Sequence, residues 1–209
     1  TDLKFIVNTN GVGGLLVYKG GGLMYKLSQK KIERIDKSFD HKNQFGSAAF
    51  MLDGTVYLYG GYGMWTFKNY FTYFDVNLKE WELLEIESSP NETPKGRTNF
   101  VWQLKDNLFY IGMGFGESID KGNSLATSNV DDFWRFDFNT KRWIKLGNCT
   151  VPQKERISNS FSGDNGSLFI ISDKVWELNI AENSAKSYPS KIKELLNAKK
   201  GLYYNPFKD

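Results

Sequence analysis

Apolar and polar positions alternate with period two along most of this chain, in runs of four to seven residues. Such alternation places one side of a strand on a core and leaves the other to a second layer or to water. Val56-Tyr57-Leu58-Tyr59, Leu108–Ile111 and Leu168–Ile171 follow the turn signals Asp53-Gly54, Lys105–Asn107 and Gly163–Gly166. Asp-Gly and Asn-Gly steps readily take the positive φ values that tight hairpins require. Another apolar run precedes each turn, at Gln44–Met51, Phe100–Leu104 and Asn159–Phe161. The N-terminal stretch has the same order: Phe5–Val7, Gly13-Gly14, Leu15–Tyr18, then Gly20-Gly21-Gly22. Helical spacing occurs once, where Ser190 precedes Ile192, Leu195 and Leu196 and Gly201 follows. That stretch predicts a short helix near Ser190–Asn197, with a further element starting at Leu202-Tyr203-Tyr204.

A second pattern recurs downstream of each hairpin. Phe74-Asp75-Val76-Asn77-Leu78-Lys79-Glu80-Trp81 aligns with Phe136-Asp137-Phe138-Asn139-Thr140-Lys141-Arg142-Trp143. Weaker copies run from Tyr25 to Ile32 and from Leu178 to Ala185, and the four copies start 49, 62 and 42 residues apart. Each unit therefore reads as strand, tight turn, strand, glycine, loop, strand, short turn, strand. One such four-stranded unit cannot bury both of its sides, so it must stack on neighbours. The units span about residues 4–38, 42–87, 98–147 and 157–188, and 189–209 stand apart as a tail.

With Gly60-Gly61, Tyr73-Phe74 and Trp81 in one unit, and Gly112/Gly114, Phe136 and Trp143 in the next, the chain resembles the kelch-repeat β-propeller family. The family's repeat of about 50 residues fits the spacing. The resemblance covers residues 4 to about 188 and is weaker in the outer units, where Ile32 and Ala185 replace the tryptophan. It implies an all-β kelch propeller of four consecutive four-stranded antiparallel blades. Propellers have four to eight blades, so further blades from a longer parent chain or another subunit enter as possible partners. Trp81 and Trp143 are expected in equivalent, largely buried positions between blades.

In such a unit the 1–2 and 3–4 turns lie at one end, and the 2–3 loop and the 4–1 link lie at the other. The turns at the first end are all short. The length variation falls in the 2–3 segments 62–70 and 115–131 and in the 4–1 link 87–98. Long connections in compact domains are frequently functional. Strand parity predicts that these three segments converge on one face. Their aromatic and polar content marks Tyr62, Trp65, Phe67, Lys68, Asn69, Arg97, Phe115, Glu117 and Asp120 as a ligand or partner site. Trp65, Lys68, Arg97 and Glu117 are expected to be partly exposed there.

The 27 basic and 24 acidic residues, net +3, are interspersed, which argues against nucleic acid as a partner. No apolar run has the length of a membrane span, so membrane insertion is not expected. One cysteine, Cys149, excludes an internal disulfide and leaves the compartment open. A single histidine, His41, makes a Ser-His-Asp arrangement or a His/Cys metal site improbable. The reading is thus a noncatalytic module, without metal or cofactor, that engages a protein or glycan through the long-loop face. The alternatives are a carbohydrate-active propeller enzyme of the sugar epimerase or mutarotase kind, or a sensory or scaffold segment of a larger assembly.

Overall fold

The structure is a computed structural model that describes residues 3–7, 14–28, 30–37, 43–117, 127–148, 159–162, 168–171, 175–179, 182 and 184–188. His41, Cys149, Asp120 and the 190–197 segment lie outside these residues. The fold is all-β, as the two-residue period predicts. Strands Leu3–Val7, Gly14–Tyr18, Leu23–Leu27 and Ile32–Arg34 form the first sheet. The second comprises Ala48–Leu52, Thr55–Tyr59, Phe71–Asp75 and Glu80–Leu83. The third comprises Val101–Lys105, Leu108–Gly112, Asp132–Asp137 and Arg142–Asn148. The fourth comprises Asn159–Ser162, Leu168–Ile171, Val175–Asn179 and Ser184–Tyr188. In every sheet the strands lie side by side in chain order and pair antiparallel. Among the described residues no helix is long and apolar enough to cross a membrane.

Two compact units divide the chain. One contains residues 1–86, 95–99 and 119–126, and the other contains 87–94, 100–118 and 127–209. Within the first unit the first two sheets pack through Val17 and Met24 on one side and Ala49, Val56, Leu58, Phe74 and Trp81 on the other. Within the second unit Leu178 of the fourth sheet packs on Val101, Tyr110, Met113 and Phe133 of the third, with Trp176 and Ala185 at its margin. The interface has the same layout in both units: the face of one sheet carrying the Phe–Trp pair, or its replacement, lies on the opposite face of the sheet before it.

The recurring Asp has a local cause. Asp75 Oδ1 accepts the amides of Asn77 and Leu78 at 2.7 and 2.9 Å. Asp137 Oδ1 accepts that of Asn139 at 2.8 Å, and Asn179 Oδ1 accepts that of Glu182 at 3.2 Å. Such side-chain bonds close tight turns. The spacing of seven then sets direct cross-strand pairs, Phe74 with Trp81, Phe136 with Trp143 and Leu178 with Ala185. The first sheet departs from this. Ile32 occupies the tryptophan position, but Leu27 lies opposite it, whereas Tyr25 lies opposite Arg34. The amides of Ile35 and Leu84, which bond the carbonyls of Met24 and Phe71, confirm the equivalence. The alignment of Tyr25 with Phe74 is therefore two residues out, because the first sheet's 3–4 connection is two residues shorter.

Candidate functional site

The site is built from the residues that follow the second strand of the second sheet. Gly60 and Gly61 leave that strand at φ 67° and 92°. A Cβ on Gly61 would stand 2.8 Å from the carbonyl carbon and oxygen of Gln44 and 2.9 Å from the carbonyl oxygen of Phe45. Only glycine accepts both the conformation and the approach. Gly61→Ala is expected to cost about 1–3 kcal/mol from the backbone alone, measured as a drop in melting temperature; an unchanged transition would contradict the close approach.

Backbone hydrogen bonds then lace three segments together. Gly61 N–H donates to the Arg97 carbonyl at 2.8 Å, Lys68 N–H to that of Gly61 at 2.8 Å, and Arg97 N–H to that of Lys68 at 3.2 Å. Phe45 and Tyr62 exchange amide bonds at 2.9 and 2.8 Å. Thr98 Oγ1 donates to the Phe45 carbonyl at 2.9 Å. Residues 61–70 thus meet residues 95–98, the part of the 87–98 link that lies in the first unit. The other end of that link is fixed in the second unit, where Glu87 N–H bonds the Lys141 carbonyl at 2.8 Å and Trp143 N–H bonds Ser88 Oγ at 2.7 Å. Between the two, Ser89 donates from Oγ and from its amide to the Glu92 carboxylate, at 2.9 and 3.3 Å, and holds that carboxyl below its usual range.

Between Tyr62–Gly63 and Thr66–Phe67 the 62–70 segment folds into its own hairpin. The facing Tyr62 and Phe67 rings lie 4.9 Å apart. The turn consists of Met64 and Trp65, both at positive φ, 54° and 64°. This is the geometry that Asn-Gly favours and that large side chains resist. Both side chains extend outward, Met64 58% and Trp65 91% exposed. Asn69 is also exposed, whereas Tyr62 and Phe67 are half-buried.

Lys68 and Arg97 differ from the expectation of partial exposure. They are 6% and 0% exposed. Lys68 Nζ donates to the Tyr70 hydroxyl at 2.9 Å, and Arg97 Nε donates to the Lys95 carbonyl at 3.0 Å. Both sit on the backbone ladder that ties 61–70 to 95–98, so their side chains belong to the interior of the loop cluster. Beside that ladder Gln44 is buried, donating to the Gly60 carbonyl at 3.0 Å and accepting from Thr72 Oγ1 at 2.8 Å. In the second unit, Phe115–Glu117 pairs with Thr127–Asn129, and Phe115 and Glu117 are both exposed. Asp120 lies outside the described residues. Among the described residues no three His, Cys, Asp or Glu side chains come together as metal ligands.

Reading the sequence missed Met64 and the turn it forms with Trp65. The signal was present only as Tyr62-Gly63 and Thr66-Phe67 flanking two residues. Neither central residue is of the kind that marks a two-residue turn.

No family model and no curated protein matches the chain. A solved structure, that of YjhT, is similar to it with a TM-score of 0.67 at 14% identity. The match covers 92% of this chain and 66% of the YjhT chain, so this chain spans just under two thirds of that length. At this identity the likeness concerns the fold alone.

Proposed function

We propose that the four sheets are consecutive blades of a kelch-type propeller and that the chain is a noncatalytic binding module. It engages a protein or glycan through the 61–70 and 95–98 loop cluster. Support for the blade reading comes from the shared stacking layout in both units and from the Gly60-Gly61 and Phe–Trp positions of the repeat. The observation that carries the functional reading is Trp65, 91% exposed on a turn whose two residues both have positive φ. A strained backbone is retained where something else depends on it, and binding sites are where such strain concentrates. An exposed indole on a rigid hairpin presents a large flat anchor with little entropy left to lose, and tryptophan is enriched at the energetic centres of interfaces. Tyr62 and Phe67 brace the hairpin from below, and Asn69 supplies a polar group at its foot.

The test is a screen of a glycan array and a panel of purified candidate proteins with the wild-type chain, followed by titration of each hit against Trp65→Ala. Loss of about thirtyfold in affinity or more is expected, equivalent to about 2 kcal/mol, with an unchanged melting temperature. Hits that tolerate Trp65→Ala but are lost on substitution of Asp106 or Asn139, in the short turns, would place binding at the other end and overturn the reading.

A further inference from the structure

The chain has four methionines, Met24, Met51, Met64 and Met113. Three are enclosed by apolar neighbours of their own unit. Met24, 0% exposed, lies in the cluster of Val17, Leu58 and Trp81, and Met51 is half-buried against the same cluster. Met113, 5% exposed, lies in the cluster of Val101, Tyr110 and Phe133. Met64 is 58% exposed. An oxidant must reach the sulfur lone pair of a thioether to react with it, so the fold separates Met64 from the other three.

Met64 also sits where an enzyme can engage it. It is the first of the two tip residues of the hairpin, above the Gly63–Thr66 and Tyr62–Phe67 pairs. Gly63 lies so close to the Asn43 carbonyl that a Cβ has no room there, which fixes the base. Residues 62–67 carry no charge, and the ammonium-bearing Lys68 that follows is buried. The tip is therefore an apolar surface that rests on two side chains, Met64 and Trp65. A sulfoxide on one of them replaces a flexible apolar group by a polar one with a strong acceptor oxygen. Such an oxygen, buried against an apolar partner without a donor, opposes association. Leucine would supply the same apolar contact and lacks this chemistry. Because Met64 contributes to neither core, its oxidation leaves the sheets in place.

We infer that Met64 is a reversible redox modification site, oxidised to the sulfoxide by peroxide and restored by methionine sulfoxide reductases, which sets the apolar character of the loop-cluster tip. The sulfur attacks one peroxide oxygen, the O–O bond breaks as the S–O bond forms, and water leaves. Sulfur is oxidised by two electrons and the peroxide is reduced. In the return step two reductase thiols become a disulfide, and the sulfoxide oxygen departs as water. The effect on binding rests on the role assigned to Trp65; the modification does not, and is expected at Met64 even if no partner of Trp65 is found.

The full chain is treated with limiting hydrogen peroxide and mapped by peptide mass spectrometry, which counts oxygen on Cys149 separately. One oxygen is expected on Met64 while Met24, Met51 and Met113 stay reduced, with an unchanged melting temperature. Incubation with the two reductases, one for each sulfoxide epimer, and a dithiol is expected to remove it. Retention on a phenyl matrix reads the apolar character of the tip: the oxidised chain is expected to elute earlier and the repaired chain to return to its original position. Met64→Leu, shown to be folded by circular dichroism, is expected to elute at one position before and after peroxide. Oxygen appearing first on Met24, Met51 or Met113 overturns the proposal. So does a Met64 sulfoxide that both reductases leave in place, an oxidised chain that elutes with the untreated one, or an equal shift in peroxide-treated Met64→Leu.

Discussion

Trp81→Ala is expected to lower the stability of the chain by about 3–5 kcal/mol, the range for removing a large aromatic side chain from a core. Trp81 is 1% exposed and lies among Val17 and Met24 of the first sheet and Ala49, Val56, Leu58 and Phe74 of its own. Its ring meets that of Phe74 edge-on at 5.5 Å. Its indole N–H donates to the Gly22 carbonyl at 2.6 Å, a bond between the two sheets. Alanine removes the apolar contact, opens a cavity between the sheets and leaves the Gly22 carbonyl without this donor. Trp81→Phe separates these effects: it keeps most of the ring and loses the hydrogen bond, for about 1–3 kcal/mol. Urea denaturation followed by circular dichroism measures both. A midpoint unchanged in Trp81→Ala would mean that the first two sheets are not held together through this residue. Trp143, 5% exposed, with the rings of Phe136 and Phe109 at 5.1 and 6.5 Å, is expected to respond in the same range as Trp81.

The fourth sheet shows how the repeat tolerates the loss of that tryptophan. Ala185 occupies the position, and Trp176, two residues before Leu178, packs against the same cluster. The large ring has moved to the neighbouring strand, so the outer copy looks degraded in sequence while its interface is still filled. This is why the strands and their order were legible and the register of the weaker copies was not. Alternation and turn residues report a strand's existence locally. Register depends on the length of each connection, and in the first sheet a connection two residues shorter moves the partner of Ile32 from Tyr25 to Leu27. The candidate site divides along similar lines. Trp65 and Glu117 were legible as exposed because they sit in long connections between strands. Lys68 and Arg97 were misjudged because their burial comes from backbone bonds between segments some thirty residues apart, linking Gly61, Lys68 and Arg97. A charged side chain in a loop reads as solvated until that ladder is known.

Exchanging Met64-Trp65 for Asn-Gly is expected to raise the stability of the chain by about 1–2 kcal/mol and to abolish binding at the loop cluster. Both central residues hold positive φ, which costs any side chain with a Cβ and costs Asn and Gly least. The flanking pairs, Tyr62 with Phe67 and Gly63 with Thr66, are untouched by the exchange, so the hairpin and its ring contact persist. The exchange also removes two exposed apolar side chains, Met64 at 58% and Trp65 at 91%. A turn selected only for folding would carry the residues that fold it best. Opposite movement of stability and binding is what a functional constraint on this turn predicts, since binding sites retain local strain that stabilising substitutions remove. Trp65→Ala provides the contrast: alanine also resists positive φ, so it loses the anchor without the gain in stability. Thermal melting and the titrations against identified ligands give both readouts. A lower melting temperature for the Asn-Gly chain would show that Met64 and Trp65 support the fold. Retained affinity would show that the partner does not touch the tip.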